Sequence, residues 1–270
     1  MMLNSTMKKT FRAALAIVCA GTLMAGTAAC GSTSSSGGDK VALLVSTLNN
    51  PFFVDLRDGA QAAAKDLGVD LMVSDAQNDS STQQNQAQNA QSQGAKAVII
   101  NPVDSDAASP AVAPLLSSSL PVISVDRSVT GEDVTSHIAS DNVAGGAQAA
   151  DELAKAVGEK GKVIILQGTP GAASTRDRGD GFKKEIKKYS GIEVVAEQTA
   201  NFDRAEALDV TTNLMQSNPD VVGIYAENDE MALGAIQSLG SKACADVKIF
   251  GFDGTEDGLK AVSNGTMVGT

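Results

Sequence analysis

The stretch Ser46-Thr47-Leu48-Asn49-Asn50-Pro51-Phe52-Phe53 decides the fold of this chain. The apolar run at residues 41–45 before it is typical of a buried parallel strand, and small and apolar residues recur at helical spacing from Val54 to Leu67 after it. The stretch is therefore predicted to form the first strand-to-helix turn of an open α/β sheet, where such sheets bind small ligands. Two phenyl rings and two side-chain amides at this turn favour a ligand site over a hydrophobic contact that only fixes the helix start.

The same alternation of strand and helix patterns continues along the chain. Strands are predicted at residues 41–46, 70–74, 97–101, 121–126, 162–167, 193–197, 221–226, 247–252 and 266–270. Helices are predicted near residues 52–67, 80–93, 106–118, 143–157, 176–189, 204–217, 229–239 and 255–264. Strict alternation implies parallel sheets with right-handed crossovers, and the rhythm breaks near residues 136–142. We therefore predict an α/β protein with two doubly wound parallel-sheet lobes joined by a hinge, lobe 1 at residues 40–140 and lobe 2 at residues 141–270.

The N-terminus has the pattern of an export signal. Lys8, Lys9 and Arg12 form a basic segment, and the apolar segment that follows, residues 13–25, is too short for a membrane span. Such a segment is removed from the mature protein, so we leave it out of the fold prediction.

The signal ends in Thr27-Ala28-Ala29-Cys30, which resembles a bacterial lipobox. The resemblance implies a lipoprotein signal peptide at residues 1–29 and a lipid on Cys30. Residues 30–39 then form a Ser/Gly tether between the lipid and the folded domain, which would be anchored to the outer face of the cell membrane by lipid alone. Ordinary secretion with cleavage near Ala29 is the alternative.

Composition excludes several classes of function. The chain carries 32 acidic and 21 basic residues, a net charge of −11, which argues against binding to nucleic acid or anionic lipid. Of the three cysteines, Cys19 leaves with the signal and Cys30 carries lipid, so Cys244 remains as a small packed residue without a disulfide. With His137 as the single histidine, we expect no metal site, no cofactor and no catalytic triad.

Nine residues with a common chemistry stand at or just after the carboxyl ends of the predicted strands. They comprise three phenyl rings, two guanidinium groups, two carboxylates and two amides: Asn50, Phe52, Phe53, Asp126, Arg127, Arg176, Phe202, Asn228 and Asp253. Phenyl faces cover the C–H faces of a sugar ring, while Arg, Asp and Asn supply donors and acceptors for its hydroxyl groups. The set therefore predicts a carbohydrate site at the facing edges of two sheets.

Each of these residues also has a purely structural interpretation. Asp126 and Arg127 are compatible with a turn and a surface ion pair, and Asn228 with a helix cap. Asp253 fits an Asx turn between two glycines. Arg176 lies in a charged run that fits a solvated helix face, and Phe202 fits a core position. The sugar-site hypothesis depends on all nine residues meeting at one place.

The chain resembles the periplasmic sugar-binding proteins of ABC importers, and most closely their ribose-binding members. The resembling segments are residues 46–53, 101–102, 104–106, 125–127, 136–142, 176–182, 202–204, 228–235 and 251–255. The resemblance implies a type I periplasmic-binding-protein fold in which the nine residues contact a pentose. It implies a monomeric, non-enzymatic solute-binding protein that delivers D-ribose, or a close pentose or hexose, to the permease of an ABC transporter. The alternative is a sensor that presents its sugar to a chemoreceptor.

The C-terminal end falls within a predicted strand. Thr270 is the last residue of the pattern at residues 266–270, and no cap or tail follows it. The resemblance implies that a further contact, a Gln, and a last helix and strand would come beyond Thr270. We therefore expect that the C-terminal segment is missing and that lobe 1 is incomplete.

Overall fold

The computed structural model describes residues 38–270. The predicted signal, Cys30 and nearly all of the tether lie outside the described residues. Within residues 38–270, the chain forms two parallel β-sheets with flanking helices, the α/β architecture predicted from the sequence. Among these residues, no helix combines the length and the apolar character needed to cross a membrane.

The elements alternate as strand and helix. The first sheet and its flanking helices comprise β1 (Lys40–Val45), α1 (Pro51–Leu67), β2 (Asp70–Asp75), α2 (Ser80–Ser92), β3 (Ala97–Ile100), α3 (Ser109–Ser117), β4 (Val122–Val125) and β5 (Ser136–Ile138). The second is built from α4 (Asn142–Ala156), β6 (Lys160–Gln167), α5 (Ala173–Ile186), β7 (Gly191–Thr199), α6 (Arg204–Ser217), β8 (Val221–Ala226), α7 (Asp229–Leu239), β9 (Lys248–Phe250) and α8 (Glu256–Ser263).

The strand order places a crevice in each sheet. The first sheet has the order β2-β1-β3-β4-β5 and the second β7-β6-β8-β9, and all pairs are parallel. In the first sheet the chain adds β2 on one side of β1 and β3 on the other side, so the strand order reverses between β1 and β3. In the second sheet it reverses in the same way between β6 and β8. Ligands of doubly wound sheets bind at such reversals, outside the carboxyl ends of the strands. We therefore expect a ligand site at the turns after β1 and β6.

The core sits on both faces of each sheet. Leu43 and Leu44 of β1 are both fully buried although they point to opposite faces, and so are Ile164 and Ile165 of β6. Strands covered by helices on both sides need this continuous apolar character. It is the property that made these strands recognisable in the sequence.

Several elements differ from the prediction, among them β5, the C-terminal segment and α5. β5 forms in the segment assigned only to the joint, and its three residues are exposed, so no burial pattern marked it. Residues 266–270 do not form a strand: a single parallel bridge joins Phe250 to Gly269. α5 begins at Ala173, three residues before the predicted start. Cys244 is partly buried.

Candidate functional site

A cavity lies where the carboxyl ends of the two sheets face each other. The space between its lining atoms, including the part open to solvent, is about 230 Å³. Its lining combines eight of the nine predicted residues with two others: Asn50, Phe52, Phe53, Asp126, Arg127, Ser174, Arg178, Phe202, Asn228 and Asp253. Arg176 is the predicted residue that does not line it.

The turn after β1 contributes an amide and two rings. Asn50 is the N-cap of α1, and its Oδ1 accepts a hydrogen bond of 3.0 Å from the backbone N–H of Phe52. Pro51 follows at the first helical position, where its missing N–H costs nothing. The amide NH₂ of Asn50 remains as the donor for a ligand. The rings of Phe52 and Phe53 meet edge to face, with centroids 5.2 Å apart.

Asp126 is held in place after β4 by a residue outside the predicted set. Its φ of 62° lies in the left-handed region, and its backbone N–H donates to the carbonyl of Ile138 at 2.8 Å. The side-chain amide of Asn101, which follows β3, donates to Oδ2 of Asp126 at 3.1 Å. Asn101 is itself fully buried. Asn101 thus fixes Oδ2 of Asp126, whereas Oδ1 lies on the side of Arg178.

Arg127 is a buried cation and not part of a surface ion pair. Only 2% of the residue is exposed, and Nη1 donates to the carbonyls of Pro102 and Val103 at 3.1 and 3.0 Å. Its guanidinium carbon lies 5.5 Å from the ring centroids of both Phe53 and Phe202. Burial lowers the pKa of Arg127, while the neighbouring Asp126 carboxylate opposes that shift. A guanidinium between two phenyl faces is a rigid donor in a dry setting.

Arg178 holds the corresponding place in the second half of the site. Its Nε donates to Oδ1 of Asn142 at 2.9 Å, and its Nη1 donates to the backbone carbonyl of Glu227 at 2.6 Å. The guanidinium carbon lies 3.7 Å from the ring centroid of Phe252. These contacts fix the plane of the guanidinium, which is the requirement for directional hydrogen bonding to a ligand.

Arg178 also joins the two carboxylates of the cavity. Its Nη1 lies 3.4 Å from Oδ1 of Asp253, and its Nη2 lies 4.0 Å from Oδ1 of Asp126 on the opposite sheet. Burial raises the pKa of Asp253 to about 7, although the Arg178 charge opposes the shift. The cavity therefore holds two guanidinium groups against two carboxylates, and the pKa of one of these carboxylates, Asp253, is raised towards neutrality.

Phe202 and Asn228 each combine a structural role with a place in the cavity wall. Phe202 packs in the core of the second half and has a φ of 59°. A Cβ at Gly168 would overlap the ring of Phe202, so the absence of a side chain at Gly168 leaves the space that the ring occupies. Asn228 is the N-cap of α7, accepting from the N–H of Met231 at 2.9 Å. The core and cap interpretations are thus correct, and they do not exclude a role in the site.

The placement of Arg176 corrects the sequence prediction. Its side chain is 43% exposed, and it pairs with Asp106 instead of facing the cavity. Because α5 begins at Ala173, Arg176 lies in its first turn, and Arg178 lies about 200° further around the helix. A sequence signal for Arg178 existed: it shares a four-residue spacing with Phe182 and Ile186, both buried.

The lining can bind a small neutral polyol. Equal numbers of guanidinium groups and carboxylates balance one another, which makes their burial tolerable and leaves strong hydrogen-bonding groups for hydroxyls. The phenyl rings offer apolar surface to C–H bonds.

Comparison with known proteins gives one consistent family. The periplasmic binding protein domain family matches residues 41–270. The ribose import binding protein of Escherichia coli is 47% identical over 239 residues, which cover 88% of this chain and 80% of that protein. The myo-inositol binding protein of Caulobacter, solved with myo-inositol, superposes with a TM-score of 0.82 at 36% identity, covering 87% of this chain and 80% of the other.

A second solved structure carries a different sugar. An ABC transporter periplasmic solute binding protein from Actinobacillus succinogenes, with bound D-allose, superposes with a TM-score of 0.78 at 34% identity. The match covers 85% of this chain and 83% of that one. The proteins that this chain resembles thus bind different sugars and polyols on one fold.

Proposed function

Because this chain belongs to the periplasmic binding protein family, as a sugar-binding protein of ABC importers, we propose that it captures D-ribose or a close pentose or hexose in the cavity and delivers it to the permease of its transporter. One observation carries the proposal. Two guanidinium groups, Arg127 and Arg178, face two carboxylates, Asp126 and Asp253, in a small cavity walled by phenyl rings. This arrangement has hydrogen-bonding capacity for several hydroxyl groups, and its guanidinium groups lie beside carboxylates.

Binding is proposed to act by closing residues 40–140 onto residues 141–270. The cavity wall takes Asp126 and Arg127 from the first segment and Arg178 and Asp253 from the second. A sugar that bridges both segments binds the closed form more tightly than the open one, and this difference shifts the population towards closure. The permease then distinguishes loaded from empty protein by shape.

Ribose is proposed as the sugar because of the sequence similarity to ribose-binding relatives. The ribose import binding protein is 47% identical to this chain, whereas the D-allose-binding periplasmic protein of Escherichia coli is 33% identical. Calorimetric titration against ribose, allose, xylose and myo-inositol tests this choice. Tightest binding of ribose supports it, and tighter binding of any other member contradicts the specificity while leaving the sugar-binding function intact.

Cys30 is proposed to carry the lipid that keeps the protein at the membrane as a monomer. The lipobox-like residues 27–30 and the Ser/Gly segment after them support this proposal. Fractionation of producing cells tests it: the wild type should enter the detergent phase, and Cys30→Ser should appear in the soluble fraction at the size of a monomer. Equal partitioning of both proteins would contradict lipidation at this residue.

A further inference from the structure

Glu227 is a fully buried carboxyl group directly before the cavity residue Asn228. Its Oε2 accepts a hydrogen bond of 2.8 Å from the backbone N–H of Gly168. Its Oε1 is buried and finds no hydrogen-bond partner among residues 38–270. A buried carboxylate usually has partners for both oxygens, so this half-satisfied group calls for an explanation.

Glu227 makes hydrogen bonds to two residues, Gly168 and Arg178, that position parts of the cavity wall. Its Oε2 accepts from the N–H of Gly168, and the absence of a side chain at Gly168 leaves space for the ring of Phe202. Through its backbone carbonyl it holds Nη1 of Arg178 at 2.6 Å. The side chain itself does not line the cavity. Glu227 is thus placed to act on a ligand through Phe202 and Arg178 and not by contact.

The space around the carboxyl group is closed. A Cβ at Gly179 of α5 would lie 2.8 Å from Oε1, so a side chain at that position would displace the group. Charged and titratable groups face it from three elements: Arg178 and Lys183 from α5, Glu197 from β7, and Tyr225 from β8, which ends directly before Glu227. Burial raises the pKa of Glu227 to about 8 in spite of the Gly168 N–H and the two cations, which lower it.

We propose that Glu227 is a positioning residue that supports the cavity walls as a neutral acid, so that loss of its proton weakens sugar binding. As the acid, one oxygen accepts from Gly168 and the other carries the proton. An unpartnered hydroxyl in a buried site costs far less than an unpartnered charge. After ionisation, the charge attracts Arg178 and Lys183, and Arg178 is also the donor that faces Asp253 and the cavity. This inference rests on the proposed sugar binding.

Glu227→Gln provides the matched variant, because it keeps the shape and the acceptor for Gly168 but cannot ionise. In calorimetric titrations from about pH 6.5 to about pH 9.5, wild-type affinity for ribose should fall by about three- to tenfold above the pKa of Glu227, whereas the variant should stay level there and equal the wild type near pH 7. Glu152→Gln, at an exposed group paired with Lys155, serves as the control and should follow the wild type. A level wild-type profile, or the same alkaline decline in Glu227→Gln, would overturn the inference.

Proton exchange gives a second readout that requires no folded variant. If sugar prefers the neutral acid, binding by the wild type near pH 8 takes up protons, which calorimetry detects as a dependence of the heat on the buffer. The carboxyl carbon of Glu227, followed by nuclear magnetic resonance in sugar-free protein, should titrate on the alkaline side of neutrality. An acidic midpoint overturns this inference even if sugar binds. Failure of every sugar to bind, with an alkaline midpoint retained, instead contradicts the proposed function.

Discussion

Arg176 Nη1 lies 3.2 Å from Oδ2 of Asp106 and so joins α5 to the loop after β3, across the two halves of the molecule. The hydroxyl of Thr130 supports the pair by donating to Oδ1 of Asp106 at 2.8 Å. Nearby, the backbone N–H of Ser105 donates to the carbonyl of Gly171 at 3.0 Å. The two halves therefore touch outside the cavity as well as around it. Because both side chains of the ion pair are exposed, it contributes about 0–1 kcal/mol at most.

Replacing Arg176 and Arg178 separately distinguishes the two arginines. Arg178→Ala leaves the buried Asp253 without its cation and removes a donor from the cavity, so it should cost about 2–5 kcal/mol of sugar-binding free energy. Arg176→Ala removes only the exposed pair and should change the dissociation constant by about fivefold or less. Calorimetric titration of both variants with ribose measures the difference. An equal loss in the two, or a larger loss in Arg176→Ala, would restore Arg176 to the site.

Arg127→Ala should also abolish most of the affinity. Its guanidinium is 98% buried between two phenyl rings, and truncation of such a group costs about 2–5 kcal/mol, or roughly 30-fold to several-thousand-fold in affinity. Arg57→Ala is the control, because Arg57 pairs with its exposed neighbour Asp58 on α1. A change in affinity of less than about threefold in Arg127→Ala would count against the cavity as the sugar site.

Gly168→Ala should weaken sugar binding without unfolding the protein. The added methyl group would overlap the ring of Phe202, so the ring must move within the cavity wall. Repacking of this kind typically costs about 1–3 kcal/mol. Gly59→Ala is the control, since a Cβ there meets nothing within 4 Å and lies in α1. Titration with ribose, with circular dichroism to check folding, compares the two; unchanged affinity in Gly168→Ala would show that the ring position is not important.

The pH dependence of stability has a defined sign at Glu227. Its folded pKa, about 8, is above its ordinary value of 4.5. The stabilisation from the bound proton is complete below about pH 4.5 and is lost as the pH rises through about 8, with a slope of up to about 1.4 kcal/mol per pH unit. Glu227→Gln cannot lose a proton, so its unfolding free energy should exceed that of the wild type increasingly between these limits and by a constant amount above them. Urea unfolding at several pH values measures this; parallel profiles would contradict it.

The sequence predicted which residues line the cavity where a single local rule applies. The turn after β1 could be read because a buried strand leads directly into a helix whose cap is Asn50. Asp126, Asn228 and Asp253 come one to three residues after the ends of their strands, and the carboxyl ends of parallel strands share one edge. For these residues, position in the chain fixes position in space.

The sequence misled where a side chain's direction depends on where a helix begins. Shifting the start of α5 by three residues exchanged Arg178 for Arg176, since neighbouring positions on a helix face different ways. The contacts of Asn101 with Asp126 and of Phe252 with Arg178 join elements distant in sequence. No spacing along the chain encodes them, so they emerged only from the structure.

A crystal structure of the protein with ribose tests the central claim most directly. We expect one sugar ring in the cavity, with its hydroxyl groups within hydrogen-bonding distance of Arg127, Arg178 and Asp253, and with Arg176 still paired to Asp106. Ribose bound elsewhere, or in the cavity without contact to either buried arginine, would contradict it.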